Sequence, residues 1–204
     1  MRFIGFLFLL AAVVSCSPQS ESNMQAQPFN NVLIYPTAKI LQPFQLEDEN
    51  GELYTNANIH GKWTLFFMGY THCPDICPTT LMDLNRVYPE LAKLAEPVEV
   101  VLVTADPKRD TAERLKQYIN FFNPDFKAIR ADHAQLFPFS RQLNLVYALA
   151  ESDKSDYLVN HSASIALTNP KGALQAIIKP DFNTQPAKID YQQIVKVIDS
   201  LIKN

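Results

Sequence analysis

The sequence predicts an α/β domain in which helices flank a central mixed sheet and a β-hairpin comes first. Three observations carry that prediction. Short apolar runs alternate with segments of helical spacing, which favours a mainly parallel sheet covered on both faces. Turn-flanked strand pairs stand at both ends of this alternation, and the trailing pair makes the sheet mixed. Composition agrees: 47% of the 204 residues are hydrophobic and only 19% are charged, enough apolar content for one ordinary core and too little charge for a disordered chain.

Taken in order, residues 44–47 and 53–55 flank Asp48-Glu49-Asn50-Gly51, and Asn-Gly is a strong hairpin signal. Residues 63–70 (WTLFFMGY) form a nearly continuous apolar stretch, as expected of a strand buried on both faces. Leu81, Leu84, Val87, Leu91 and Leu94 then recur at helical spacing across residues 78–94, where Pro89 predicts a kink or break. Residues 98–104 (VEVVLVT) read as a second buried strand. Asp110-Thr111-Ala112-Glu113 reads as a cap in which the Asp110 side chain accepts early backbone N–H groups, opening a helix to about Phe122. Residues 126–130 make a short strand. Asp132 caps a helix to about Leu143, its regularity interrupted by Pro138. Residues 162–168 and 173–178 flank Asn169-Pro170-Lys171-Gly172 as a second hairpin, and residues 190–202 close the chain as an amphipathic helix. This order is compatible with a thioredoxin-like fold.

The N-terminus reads as a targeting device. Arg2 precedes an apolar run over residues 3–14, too short to span a membrane at about 20 residues but suited to a secretory signal. The run ends in Val13-Val14-Ser15-Cys16, which resembles a bacterial lipobox. Residues 1–15 are thus expected to be a lipoprotein signal peptide, with Cys16 becoming the lipid-bearing N-terminus. Residues 16–39 are expected to form the lipidated end and a flexible tether, polar and without periodicity through residue 31. The folded domain is placed at 40–204. The expected location is extracytoplasmic, on a membrane surface, facing the periplasm in a two-membrane bacterium. A formal charge of −3 argues against a general nucleic-acid partner. A monomer is the default.

Lipidation of Cys16 leaves two of the three cysteines for chemistry. Cys73-Pro74-Asp75-Ile76-Cys77-Pro78 follows the buried strand and opens a helix. With Pro78 at the first helical position, Cys77 falls at or near the N-cap, where unpaired N–H groups favour an anionic sulfur. Such a pair can close a disulfide or grip a metal. A metal needs a third ligand, and His161, at an element boundary just before a strand, is the candidate among four histidines. Two thiolates and an imidazole form a soft set that suits copper, Cu(I) or Cu(II), one per chain. Read as structural residues instead, the cysteines would be a short-loop disulfide of small entropic worth, and His161 a strand-end hydrogen-bonding group. His72 reads as a solvent-facing loop side chain; His60 and His133 read as exposed and uninvolved.

The run Tyr70-Thr71-His72-Cys73-Pro74-Asp75-Ile76-Cys77-Pro78-Thr79-Thr80-Leu81 closely resembles the Sco/SenC family of copper-binding, thioredoxin-like proteins. Asp106-Pro107-Lys108-Arg109-Asp110-Thr111 and Val159-Asn160-His161-Ser162 resemble two further family segments, in the same order. The resemblance covers about residues 40–203. It implies that Cys73, Cys77 and His161 bind copper. It also implies work on the binuclear copper centre of cytochrome c oxidase, either metallating the copper-bearing subunit or keeping its cysteines reduced. Another periplasmic copper protein is an alternative partner. One departure stands out: Asn160 occupies a position that is usually acidic in the family. Asp75, between the cysteines, is expected to shape the loop by accepting backbone N–H bonds and to favour bound cation. Asp106, after the second buried strand, is expected to face the site, against the plainer reading of a strand-exit turn with Arg109 as a surface charge.

Two other readings use the same cysteines. A thiol–disulfide oxidoreductase would attack with one thiolate and resolve with the other, although the spacing is Cys-x-x-x-Cys rather than the Cys-x-x-Cys of thioredoxins. A thiol peroxidase resembling the peroxiredoxins would carry Pro-x-x-x-Thr-x-x-Cys, and counting back from Cys73 those places hold Phe66 and Tyr70.

Overall fold

A computed structural model describes residues 29–148 and 156–203. Its centre is the pair of apolar runs read as buried strands. Trp63–Gly69 (β4) and Val98–Thr104 (β5) lie parallel, from Trp63 opposite Val98 to Gly69 opposite Thr104. Every residue of β4 is buried. Its side chains alternate between two cores: Leu65 and Phe67 face one, Phe66 and Met68 the other.

Lys127–Arg130 (β6) extends the sheet in parallel beyond β5, and Gln45–Asp48 (β2) with Leu53–Thr55 (β3) closes that side as an antiparallel hairpin. On the other side Ile165–Thr168 (β7), Ala173–Ile178 (β8) and Val32–Ile40 (β1) follow, all antiparallel. The sheet order is β1-β8-β7-β4-β5-β6-β2-β3. The helices Ile76–Leu91 (α1), Ala112–Phe122 (α2) and Tyr191–Lys203 (α4) bury Leu81, Leu84, Leu115, Ile119, Ile194 and Ile198 in the core that holds Leu65 and Phe67. His133–Gln142 (α3) and the β2–β3 hairpin cover the opposite face through Leu136, Phe139, Leu46 and Tyr54. Both hairpin turns carry a glycine at positive φ, Gly51 at 79° and Gly172 at 72°.

Four sequence expectations change. The domain begins at residue 32 and not 40, because β1 pairs with β8 over a stretch assigned to the tether; residues 1–28, with Cys16, lie outside the described residues. Pro36 falls where the β1 register lapses between Ile34 and Lys39, on an edge strand that tolerates it. Helix α1 starts at Ile76, so Pro78 is its third residue and Asp75 its N-cap, and Pro89 sits in the last turn and ends the helix rather than bending its middle. Thr111, not Asp110, caps α2 by accepting from Arg114 N–H at 3.2 Å. Asp132 is the N-cap residue of α3, but its side chain makes no capping bond.

Candidate metal centre

The site lies where β4 ends and α1 begins. The chain leaves the sheet at Gly69 and turns, with Cys73 N–H donating to Tyr70 C=O at 3.1 Å. One helical turn returns Cys77 to the same place. Cys73 is half-buried and Cys77 is 1% exposed; both are free thiols. Gly69 permits the return: a Cβ built there would stand 2.9 Å from Cys77 Sγ and 2.9 Å from Leu102 Cδ1. A side chain at that position and a sulfur at its neighbour cannot both fit.

The third group arrives from 84 positions away in the chain. His161 forms an isolated bridge with Tyr147 just before β7. Its Nε2 lies 3.5 Å from Cys77 Sγ, and its Nδ1 lies 3.0 Å from Ser162 C=O. A carbonyl only accepts, so Nδ1 carries a proton, and Nε2 is the ring nitrogen that faces the sulfurs. The ligand atoms of Cys73, Cys77 and His161 all lie within 4.8 Å of one another. Among the described residues this is the one cluster of His, Cys, Asp or Glu with that closeness.

The sulfurs share a single proton. Cys73 is lowered to about 3, chiefly by the hydrogen bond from Cys77; burial opposes this, while His161 and the backbone N–H groups of Asp75 and Cys77 reinforce it. Cys77 is pushed far up by the same hydrogen bond, by burial and by the negative charge on Cys73. The N–H groups of the first turn therefore point at the sulfur of Cys73. This corrects the expectation that Cys77 is the anionic member: Cys77 lies inside the helix, and the open donors face the residue before it.

The flanking acids divide the work differently from the expectation. The Asp75 side chain is exposed and makes no cap hydrogen bond; its backbone N–H serves Cys73 and its C=O accepts from Thr79 Oγ at 3.0 Å. Asp106 is buried, as expected for a residue turned inward, but its partners are not the ligands. It accepts from Tyr157 O–H at 2.7 Å and pairs with Arg109 Nε. Arg109 is thus part of a buried ion pair and not a surface charge.

Sequence reasoning missed three neighbours. Asp110, 0% exposed, accepts from Thr71 N–H, from Thr71 O–H at 2.6 Å and from Thr104 O–H at 2.6 Å, tying the turn before Cys73 to the end of β5. Burial raises its pKa, against the lowering effect of those hydrogen bonds. Tyr70 lies edge-on to His161, with ring centroids 5.8 Å apart, and its hydroxyl accepts Val159 N–H at 3.2 Å. Tyr157 carried no motif signal. Among the other histidines, His60 and His72 are exposed, but His133 is half-buried, with Nδ1 2.8 Å from Tyr147 Oη.

The fold and site define a class: a thioredoxin-like domain bearing two thiols and one imidazole at the strand–helix junction. The SCO1/SenC family model matches residues 34–197. The chain belongs to that family. It is similar to a putative copper-binding protein of Stutzerimonas stutzeri, with 35% identity over 175 residues that cover 85% of this chain and 82% of the relative. Among solved structures, Arabidopsis thaliana ScoI with copper bound superposes with a TM-score of 0.70 at 28% identity, covering 80% of this chain and 98% of that one. Bradyrhizobium japonicum ScoI with copper bound gives 0.60 at 35% identity, covering 66% and 86%. Cys73, Cys77 and His161 suit the same ion: two sulfurs and an imidazole whose Nε2 faces them form a soft set of low coordination number.

Proposed function

We propose that this protein carries copper outside the cytoplasm and hands it to the copper-bearing subunit of cytochrome c oxidase. The observation that carries this reading is the convergence of two sulfurs and His161 Nε2 within 4.8 Å. Copper is cargo here. Cys73, half-exposed and anionic, is the first point of contact for an incoming ion; Cys77, buried, and His161 complete its hold. Transfer proceeds by ligand exchange, a receiver sulfur or imidazole replacing one donor at a time. Copper-bound relatives support the cargo, and membership of the Sco family, described for one of its members as a family of cytochrome c oxidase assembly proteins, supports the destination. The lipobox-like Val13-Val14-Ser15-Cys16 supports a lipid anchor facing the periplasm.

A second reading rests on the shared proton of the pair. The Cys73 thiolate attacks a receiver disulfide and forms a mixed disulfide, releasing one receiver thiolate. Cys77 then gives up its proton and attacks Cys73 Sγ, releasing the second. The receiver gains two electrons and the one proton that Cys77 gives up, a second proton coming from water, and the Cys73–Cys77 pair ends as a disulfide.

An anaerobic copper titration of the reduced protein separates the readings. One copper per chain is expected, with thiolate-to-copper charge-transfer absorption, and with retention sharply weakened in Cys73→Ala, Cys77→Ala and His161→Ala. A His161→Ala protein that holds copper like the parent while reducing disulfides rapidly favours the reductase. The intact mass of the protein from the membrane fraction tests the anchor: a diacylglycerol-modified Cys16 N-terminus is expected and is lost in Cys16→Ser, and an unmodified N-terminus in the parent refutes lipidation at that residue.

A further inference from the structure

His161 is held by neither helix nor ladder. On one side its backbone has a single bridge to Tyr147, with Ala148 N–H donating to Asn160 C=O at 2.8 Å and Ser162 N–H to Val146 C=O at 2.7 Å. On the other side the ties come from side chains. Arg109 Nη2 donates to Tyr157 C=O at 2.9 Å, its Nε pairs with Asp106, and its guanidinium lies 3.6 Å over the Tyr157 ring. Tyr157 O–H closes the loop on the other Asp106 oxygen at 2.7 Å. Two residues on, Val159 N–H is taken by Tyr70, whose ring abuts the imidazole.

One buried acid therefore gathers the side chain of Tyr157 directly and its backbone through Arg109. The Asp106 and Arg109 side chains are 3% and 13% exposed. A buried ion pair is a weak source of net stability, and its use lies in fixing one arrangement over others. Here the arrangement fixed is the path of the chain four residues ahead of a metal ligand.

We propose that Arg109 and Tyr157 are positioning residues for copper. Anchored on Asp106, they clamp residues 157–159 to the turn after β5 and so set where His161 meets the sulfurs. The proposal rests on the copper reading above. Neither residue touches the ligand atoms; both act through His161 alone.

The test is a copper competition titration of the reduced protein against a chelator of known affinity, with Cu(II) electron paramagnetic resonance alongside. Tyr157→Phe removes one hydroxyl, and Arg109→Lys keeps the charge but loses the fork. Each is expected to weaken copper retention about tenfold, to reduce the nitrogen superhyperfine splitting that marks imidazole ligation, and to leave the melting temperature within a few degrees. In a His161→Ala background each is expected to change retention less than twofold. Losses of equal size in both backgrounds overturn the proposal, because the residues would then act on the sulfurs or on the whole fold. So does unchanged retention in Tyr157→Phe, which remains decisive if Arg109→Lys fails to fold. A parent that binds no copper, or whose His161→Ala variant binds it equally, overturns the copper reading first and this proposal with it.

Discussion

Gly69→Ala is the smallest change that should damage the site. The added Cβ meets Cys77 Sγ and Leu102 Cδ1, each at 2.9 Å. Carbon–carbon contacts are comfortable at about 3.5–4.0 Å, so each neighbour must retreat by at least about 0.6 Å. Leu102 is fully buried in the central strand and has nowhere to go, so most of the movement falls on the first turn of α1. Overpacking of this kind costs about 1–3 kcal/mol. At about 2 kcal/mol the melting temperature of a chain this size drops by about 4–8 °C. The same movement drives Cys77 Sγ off its position, and copper retention should fall by at least about tenfold. Circular dichroism melts of the reduced apo-protein read the first effect and chelator competition the second. A variant that melts with the parent and holds copper equally would show that the glycine does not set the distance between strand and helix, and the packing argument would fail.

Further outcomes follow from the charges around the sulfurs. Alkylation of reduced apo-protein should occur at Cys73 with a rate nearly flat between about pH 5 and 8, whereas an ordinary thiol speeds up about tenfold per pH unit towards its pKa near 8.5. The sign follows from Cys73 lying at about 3, so the thiolate is already formed throughout that window, while Cys77 keeps its proton. Mass mapping of the adduct checks the site, and a steeply rising rate or a Cys77 adduct contradicts the assignment. Asp110→Ala strands Thr71 N–H and two threonine hydroxyls, at a cost of about 2–4 kcal/mol. A denaturant melt should show the lower midpoint; an unchanged midpoint would mean that water replaces the carboxylate freely.

What could be read from the sequence follows physical range. β4 and β5 were visible because a strand buried on both faces is apolar throughout. The two hairpins were visible because their glycines must take positive φ. Cys73, Cys77 and His161 were readable as a soft ligand set by residue type and by resemblance, and the geometry brings them together. What stayed hidden depends on contacts between distant segments. β1 is mostly exposed and holds Pro36, so nothing in its pattern announces that its partner is β8, near the other end of the chain. Asp110 resembled a helix cap because the signal does not distinguish N-cap from the residue before it; Thr111 took the cap and freed Asp110 to turn inward. Arg109 resembled a surface charge because its acceptor, Tyr157 C=O, is a backbone group 48 residues on.

The unequal depth of the two sulfurs gives the site a front door and a back wall. Solvent and any visiting molecule meet Cys73 and the ring of His161, while Cys77 stands behind them against Gly69 and Leu102. On the copper-carrying reading, an ion enters or leaves on the side of the partly exposed Cys73 and His161, so a donor and a receiver compete for that side and a molecule that occupies it without taking the ion blocks traffic both ways.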